Sequence, residues 1–337
     1  MSCLQAKDLP TTPRANNMLY EQGQTPNHTP YDEESMLELM RERLSEVGLS
    51  CSGLGIVFYK LNLGRLNLQS TTTLSRIKIA QNFPHLRVID VSHNELTDLR
   101  FLSDMHSLVQ LNASNNKIQS LLDFNMMDEN PSKISLIEAN FSNNLLTCFD
   151  HLIPFSKSLK RLNISNNNID HDLVELNVLS NLVELDISNN RISSLKLTEL
   201  KYLKILNAES NQLECISGVC SWSLQQLNLK NNNIQNLSQF QSLKLLFKLN
   251  LENNKIERFE EINHLADLTF MYDLSLLGNP FIIKPTNDSL EVSIIYKNSI
   301  LFRLPQIVIL DQFEVSSEEK VRAMLFHQQQ QQQLENK

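Results

Sequence analysis

Nine asparagines recur at a nearly constant interval in this chain, and that interval constrains the fold more than any other feature. Each asparagine closes a unit of the same form, which in residues 182–192 reads Leu-x-x-Leu-x-Ile-x-x-Asn-x-Ile. Apolar residues at period 2 are typical of a short strand, because successive side chains of a strand point to opposite faces. The polar asparagine then ends the extended run and turns the chain. The nine closing residues are Asn94, Asn116, Asn144, Asn167, Asn190, Asn211, Asn232, Asn254 and Asn279.

The length of the interval predicts what lies between the strands. Subtracting successive asparagine numbers gives 22, 28, 23, 23, 21, 21, 22 and 25 residues. About 22 residues leaves room for a strand and a short turn, but not for a full helix. The sequence therefore predicts an α/β fold, a leucine-rich-repeat solenoid. We expect a curved parallel β-sheet on its concave side, short 3-10 or helical turns on its convex side and helical caps at both ends.

The N-terminal part of the chain departs from the repeat. Residues 1–31 contain four prolines and no periodic apolar pattern, so we predict a disordered arm. The leucine-rich-repeat domain is predicted over residues 32–326. Its first segment, residues 32–48, has apolar residues at helical spacing and predicts a helix that covers the open end of the solenoid. The alternative for this segment is an isolated helix that binds a partner.

The long intervals and the C-terminal part give further predictions. Residues 123–131 should form a loop within the 28-residue interval, and residues 266–270 a longer helical turn within the 25-residue interval. We predict a C-terminal cap over residues 280–326, with a helix over 289–303 and a strand over 304–311. Ser316 and Glu319 have the spacing of a capping box that opens a helix over 320–326. Residues 327–337 are a glutamine-rich tail that we expect to be floppy.

Composition and charge exclude several classes of function. The formal net charge is −8 and the basic residues are spread along the chain, so we predict no nucleic-acid partner and no membrane partner. Five scattered cysteines favour a reducing compartment, and the first residues lack the pattern of a signal peptide. The prediction from composition is therefore a protein of the cytoplasm whose partners are other proteins.

No set of residues nominates a catalytic centre. The histidines lack a paired cysteine or carboxylate at the spacing of metal ligands. The Ser-Gly-Leu-Gly stretch at residues 52–55 is too short for a nucleotide-binding loop. We therefore predict no enzymatic activity, no metal, no cofactor and no small-molecule substrate.

The closing asparagines and the strand residues before them have different predicted roles. An amide side chain carries both donors and acceptors, so the nine asparagines should satisfy buried backbone groups as a structural ladder. Strand alternation places residues six, four and two before each asparagine on the concave face. This face is polar and nearly without aromatics, so a solvated surface and a binding surface fit it equally. The candidate partner-binding residues are Glu138, Arg161, Glu184, Asp186, Gln226, Lys230 and Lys248.

Several stretches of the chain carry a family resemblance. The repeat units, together with the C-terminal segments 304–311 and 315–319, resemble the intracellular phosphatase-regulator-like class of leucine-rich repeats. Residues 34–94 resemble the axonemal radial-spoke leucine-rich-repeat protein family, through Ser-Met-Leu-Glu-Leu-Met at 35–40, Tyr-Lys-Leu-Asn-Leu at 59–63 and His-Leu-Arg-Val-Ile-Asp-Val-Ser-His-Asn at 85–94. The repeat region of leucine-rich-repeat guanylate-kinase proteins is similar at residues 111–116 and 318–321, but a kinase domain is not expected here.

The resemblance implies a function that spacing and composition alone do not indicate. It implies a non-enzymatic scaffold, a structural subunit of the ciliary or flagellar axoneme within a radial spoke, bound to other axonemal proteins. The alternative is a soluble regulatory subunit that docks on a protein phosphatase or a similar enzyme through the concave face. Function is expected where the repeat is broken, at the first helix, at residues 123–131 and at the C-terminal cap.

Overall fold

A computed structural model describes residues 31–50, 55–102, 104–121, 135–149, 155–219, 222–282 and 289–335. The predicted arm, apart from Tyr31, and the predicted loop over residues 123–131 lie outside the described residues. The described strands are β1 (Leu44–Leu49), β2 (Ile56–Asn62), β3 (Val88–Asp90), β4 (Gln110–Asn112), β5 (Glu138–Asn140), β6 (Arg161–Asn163), β7 (Glu184–Asp186), β8 (Ile205–Asn207), β9 (Gln226–Asn228), β10 (Lys248–Asn250), β11 (Asp273–Ser275), β12 (Ile309–Leu310) and β13 (Phe313–Glu314).

These strands form one open sheet of thirteen, in which each strand lies beside the next one along the chain. Strands β2 to β12 run parallel to their neighbours. An antiparallel pair closes each end, β1 with β2 and β12 with β13. The predicted fold class, a leucine-rich-repeat solenoid, is confirmed.

Each three-residue strand contributes one side chain to a continuous interior. On β7, Leu185 is buried, while Glu184 and Asp186 on either side of it are half-buried on the opposite face. Leu182 and Ile187 are fully buried in the same coil. Burial of one such aliphatic side chain contributes about 1.5 to 3 kcal/mol, so each coil is stabilised mainly by stacking on its neighbours.

The N-terminal cap differs from the predicted helix over 32–48. Helix α1 (Glu33–Glu42) begins after Asp32, whose carboxylate accepts a hydrogen bond from the Ser35 backbone N–H at 2.8 Å. It ends at Glu42, and residues 44–49 form the antiparallel strand β1 instead of further helix. The physical reason is that β2 would otherwise expose unpaired backbone groups along the edge of the sheet, and only a strand can pair with them.

The convex side carries short segments, as the intervals predict. Helices α2 (Thr72–Ile77) and α3 (Ile79–Asn82) precede β3, and 3-10 segments follow at Arg100–Leu102, Val174–Val178, Ser238–Ser242 and Phe259–Leu265. The 25-residue interval therefore contains a seven-residue 3-10 segment before residues 266–270, which form turns rather than the predicted helical turn. The buried Glu261 carboxylate anchors this segment, because it accepts the Leu237 backbone N–H at 3.0 Å.

The C-terminal cap is formed by α4 (Ser289–Arg303), β12, β13 and α5 (Ser317–Glu335). The capping box is present: the Glu319 carboxylate accepts the Ser316 backbone N–H at 2.9 Å, and the Ser316 hydroxyl accepts the Glu319 N–H at 3.2 Å. Strand β12 has two residues, fewer than the strand predicted over 304–311. Helix α5 continues to Glu335 instead of ending at Phe326, because glutamine is a good helix former and no Gly or Pro interrupts it.

Candidate functional site

The nine predicted asparagines occupy equivalent corners, where each strand gives way to the turn, and all are buried. The Asn190 side-chain amide donates to the carbonyl oxygens of Ile164 at 3.1 Å and Ile187 at 3.0 Å. Its carbonyl oxygen accepts the Ile169 backbone N–H of the previous coil at 3.2 Å. These side chains, the ladder asparagines, therefore tie neighbouring coils together through backbone groups that water does not reach.

The residue before each ladder asparagine has a backbone conformation that was not predicted. All nine have positive φ angles, from 54° at several positions to 78° at Gly278. Asparagine tolerates this left-handed conformation better than most residues, and glycine tolerates it best. The signal in the sequence was the asparagine pair that closes many units. The residues are His93, Asn115, Asn143, Asn166, Asn189, Ser210, Asn231, Asn253 and Gly278.

The polar side chains four residues before the ladder asparagines form a second row, and they also make hydrogen bonds within the protein. The Asp186 carboxylate accepts the Ser188 backbone N–H at 3.0 Å and the Ser188 hydroxyl at 2.7 Å. Its other oxygen accepts the Asn207 side-chain amide at 3.1 Å. Asp186 and Ser188 therefore close the turn after β7, because a short Asx side chain competes well for nearby N–H groups.

The other predicted partner-binding residues lie along the concave face from β5 to β10, and several bind each other or their neighbours. Arg161 of β6 forms an ion pair with Glu138 of the preceding strand β5, and the Gln110 amide donates to Glu138 at 2.8 Å. Lys248 pairs with Asp273 at 2.9 Å. Glu184 lies on β7 and Gln226 on β9, where Gln226 is the register partner of Lys248.

Lys230 belongs to a cluster that connects the concave face to the C-terminal cap. Its ammonium lies 2.8 Å from the carboxylate of the buried Glu252, which also accepts the Gln312 side-chain amide at 2.9 Å. Burial alone would raise the pKa of Glu252, but the hydrogen bonds from Lys230 and Gln312 outweigh it and hold that pKa below its ordinary value. The charged form is therefore the stable form of Glu252 in this fold.

Asp311 closes the sheet beyond the last ladder asparagine. Its carboxylate accepts the Leu276 backbone N–H at 2.7 Å and the Tyr296 hydroxyl of α4 at 2.8 Å. Burial raises the pKa of Asp311 despite these hydrogen bonds, and burial beside Asp311 raises the pKa of Tyr296. This pair holds α4 against the end of the solenoid.

The described residues offer few other kinds of site. Among them, no group of three or more His, Cys, Asp or Glu side chains is placed to hold a metal ion. Their helices also include none with the length and apolarity needed to cross a membrane. Cys148 and Cys215 are free thiols, both half-buried.

A further surface was not predicted from the sequence. Residues ten, nine and seven positions before each ladder asparagine lie where the chain approaches its strand, and we name this surface the leading edge. In the C-terminal coils it exposes large apolar side chains, among them Tyr202, Trp222, Leu245, Phe270 and Tyr272. Aligning the units on their asparagines was the signal that would have found it, because these side chains share one phase of the repeat.

Comparisons with known proteins agree with this architecture. A family model described as Leucine Rich repeats (2 copies) matches residues 84–125. Leucine-rich repeat-containing protein 23 of Homo sapiens is 28% identical over 295 residues, which cover 86% of this chain and 79% of that protein. The protein of the same name from Bos taurus is 29% identical over 290 residues, which cover 85% and 78%.

A solved structure shares the fold alone. An internalin from Listeria monocytogenes superposes with a TM-score of 0.52 at 18% identity, covering 86% of this chain and 91% of the internalin. With its repeat, its sheet and its asparagine corners, this chain has the leucine-rich-repeat solenoid fold.

Proposed function

We propose that this chain is a non-enzymatic scaffold that binds other proteins and is built into the axoneme of a cilium or flagellum, in the radial spoke. Repeat domains of this family generally bind other proteins, and the geometry here suits that role. Thirteen strands at about 4.8 Å per strand give a sheet on the order of 58 Å long, with a cap at each end. Such a rod can hold separate neighbours at fixed distances.

The observation that carries the axonemal proposal is where the family resemblance falls. Residues 35–40 lie in α1 and residues 59–62 lie in β2, so two of the three resembling stretches build the N-terminal cap, whereas the third, residues 85–94, contains β3. Repeat consensus does not dictate the sequence of a cap, because a cap meets only one coil. The human relative also matches 86% of this chain, which is more than its regular coils alone.

The experiment is extraction of axonemes from ciliated cells that express the tagged full chain. Detergent-stripped and salt-washed axonemes should retain it, because a built-in subunit does not exchange with the soluble fraction. Axonemes that lack radial spokes should lose it, whereas axonemes that lack dynein arms, the matched control, should keep it. Recovery of all the protein in the soluble fraction would overturn the proposal.

The rival function, a soluble regulatory subunit docked through the concave face, has less support. A partner enzyme would have to bind charged groups of the concave face that are already paired with each other, Glu138 with Arg161 and Lys248 with Asp273. If this rival function is right, reversing the charges of Arg161, Glu184 and Lys248 together should abolish binding of a phosphatase in a pull-down. Unchanged capture by that variant would count against it.

A further inference from the structure

The leading edge changes character along the solenoid. In the coils of Asn211, Asn232, Asn254 and Asn279 it carries Tyr202, Trp222, Leu245, Phe247, Phe270 and Tyr272. Trp222 is 82% exposed, Phe270 63% and Tyr202 61%, so water covers most of these rings. The interior does not need them, because the residue eight before each asparagine, such as Leu203 or Leu246, fills the core.

The apolar side chains lie side by side across consecutive coils. The Tyr272 backbone N–H donates to the Phe247 carbonyl at 3.0 Å, and the Val308 N–H donates to the Tyr272 carbonyl at 2.8 Å. The rings of Phe247 and Tyr272 stack with centroids 5.6 Å apart and planes within 3°. From Tyr202 to the exposed Val308 the row crosses five coils, or about 19 Å at the spacing of neighbouring strands.

The N-terminal coils provide an internal comparison. At the position nine before the asparagine, where Tyr202 and Phe270 stand later in the chain, they carry His85, Ser107 and Ser158. The repeat therefore folds equally well with polar residues at this position. Exposed aromatic side chains that recur in consecutive coils and that folding does not require are typical of an interaction surface.

Charge identifies the kind of partner. Across the described leading edge, from the coil of Asn94 to that of Asn279, no acidic residue occupies the three defining positions. The lysines there are Lys157, Lys160, Lys201, Lys204 and Lys244. This is unusual in a chain with a formal net charge of −8. The nearby acids are Glu199, 3.3 Å from Lys201, and Asp267, 3.9 Å from Lys244, both exposed. A partner with acidic residues beside an apolar surface complements this edge.

The backbone of the leading edge identifies the conformation of that partner. The Phe247 carbonyl oxygen accepts the N–H groups of Tyr272 and Asp273, and the Gln225 carbonyl accepts those of Phe247 and Lys248. These backbone N–H and C=O groups already form hydrogen bonds between coils, so an extended segment could not pair with them as a further strand. A segment that docks here must satisfy its own backbone, and an α-helix does so.

We propose that the leading edge of the C-terminal coils binds an amphipathic helix of a partner protein, with its apolar face on the aromatic row and its Asp and Glu residues against Lys201, Lys204 and Lys244. This rests on the proposed scaffold function and names the partner class. A helix of about 13 residues spans the 19 Å row, since its rise is about 1.5 Å per residue.

Trp222 makes binding directly measurable, because it is the only tryptophan of the chain. The probe is a synthetic amphipathic helical peptide with Leu and Phe on one face, Glu beside them and neither Trp nor Tyr. Titration into the full chain should shift Trp222 emission to the blue and saturate. A peptide with Lys in place of every Glu should not bind. No shift with the acidic peptide up to its solubility limit would overturn the proposal.

Matched variants locate the site. Reversal of Lys201, Lys204 and Lys244 to Glu should weaken peptide binding about tenfold or more. Reversal of three exposed lysines elsewhere, Lys117, Lys196 and Lys255, changes the net charge equally and should leave binding within about twofold. Equal weakening by the two triple variants would contradict a site at this edge.

The aromatic row has its own pair of variants. Phe270→Ser should weaken peptide binding about tenfold, whereas Phe313→Ser, an equally exposed ring on β13, should not. Circular dichroism confirms that each variant is folded. A Trp222 blue shift that grows with protein concentration alone, together with a dimer in light scattering, would identify a second copy as the occupant and overturn the proposal.

The two proposals fail separately. If the wild-type chain washes out of axonemes, the axonemal function is wrong, and the peptide titration still decides the leading edge. If the wild type is retained and the lysine-reversed variant is retained equally, while the acidic peptide does not bind, the leading-edge proposal is wrong and the axonemal function stands. If axonemes retain the wild type but lose the lysine-reversed variant, and the acidic peptide binds the wild type, both proposals are supported.

Discussion

Replacement of Asn190 by Ala tests whether the ladder asparagines hold the coils together. The change removes an acceptor for the Ile169 N–H and donors to the carbonyl oxygens of Ile164, Ile187 and Ser188. The amide has two hydrogens, so at most two of the three donor contacts are full hydrogen bonds at once. One orphaned buried N–H costs about 1 to 3 kcal/mol, and each lost carbonyl partner about 0.5 to 1.5 kcal/mol.

The expected destabilisation for Asn190→Ala is therefore roughly 2 to 4 kcal/mol, since water reaches part of the vacated corner. Asn168→Ala is the matched control, because Asn168 is exposed and the same atoms are removed. It should change the free energy of unfolding by less than about 0.5 kcal/mol. Asn190→Asp should be at least as harmful as Asn190→Ala at neutral pH, because a carboxylate cannot donate and would face three carbonyl oxygens.

Two measurements check this reasoning. Urea unfolding followed by circular dichroism gives the free energies, and hydrogen exchange gives the protection of the Ile169 amide, which should fall in Asn190→Ala and stay unchanged in Asn168→Ala. Acidification should restore part of the stability of Asn190→Asp, because the protonated carboxyl donates one hydrogen bond. Equal losses for Asn190→Ala and Asn168→Ala would refute a role for the ladder in holding the coils.

Three more substitutions test the interior, a close approach and the C-terminal cap. Leu185→Asp should lower stability by more than about 3 kcal/mol and Glu184→Ala by less than about 0.5 kcal/mol; equal shifts in melting temperature would refute the opposite orientations of these side chains. Gly218→Ala should lower the melting temperature, because a Cβ there would overlap the Leu195 carbonyl oxygen; an unchanged melting temperature would contradict this. Because the folded-state pKa of Asp311 is raised, the folded protein binds more protons, so this residue's contribution to stability falls as pH rises from the ordinary Asp pKa through the raised one. Asp311→Asn should lack that fall in thermal unfolding across pH, and parallel pH profiles would contradict the assignment.

The sequence predicted features that depend on local spacing. The burial of Leu185 and the corner position of Asn190 follow from the repeat phase alone, because equivalent residues pack in the same way in every unit. The capping box at Ser316 and Glu319 is also local, because both partners lie within one helical turn. These features needed no knowledge of distant residues.

Features that depend on neighbours in space were not predictable in the same way. The helical spacing of residues 32–48 predicts a helix, but residues 44–49 pair with β2 as a strand. Strand alternation marks Asp186 as solvent-facing, but the N–H of Ser188 captures its carboxylate. The stacking of His327 on Phe302 of α4, with ring centroids 3.7 Å apart, joins two helices and is not visible in local spacing.

The energetics of the two exposed surfaces explain why a partner would use the leading edge rather than the concave face. To bind the concave face, a partner must displace interactions such as Lys248–Asp273, and exchange of one surface ion pair for another yields about 0 to 1 kcal/mol. Coverage of an exposed ring such as Trp222 or Phe270 removes on the order of 100 Å² of apolar surface from water, which contributes about 2.5 kcal/mol. Two such rings outweigh the net gain from several exchanged ion pairs. Under the leading-edge proposal, the lysines beside the row then select an acidic partner over a neutral one.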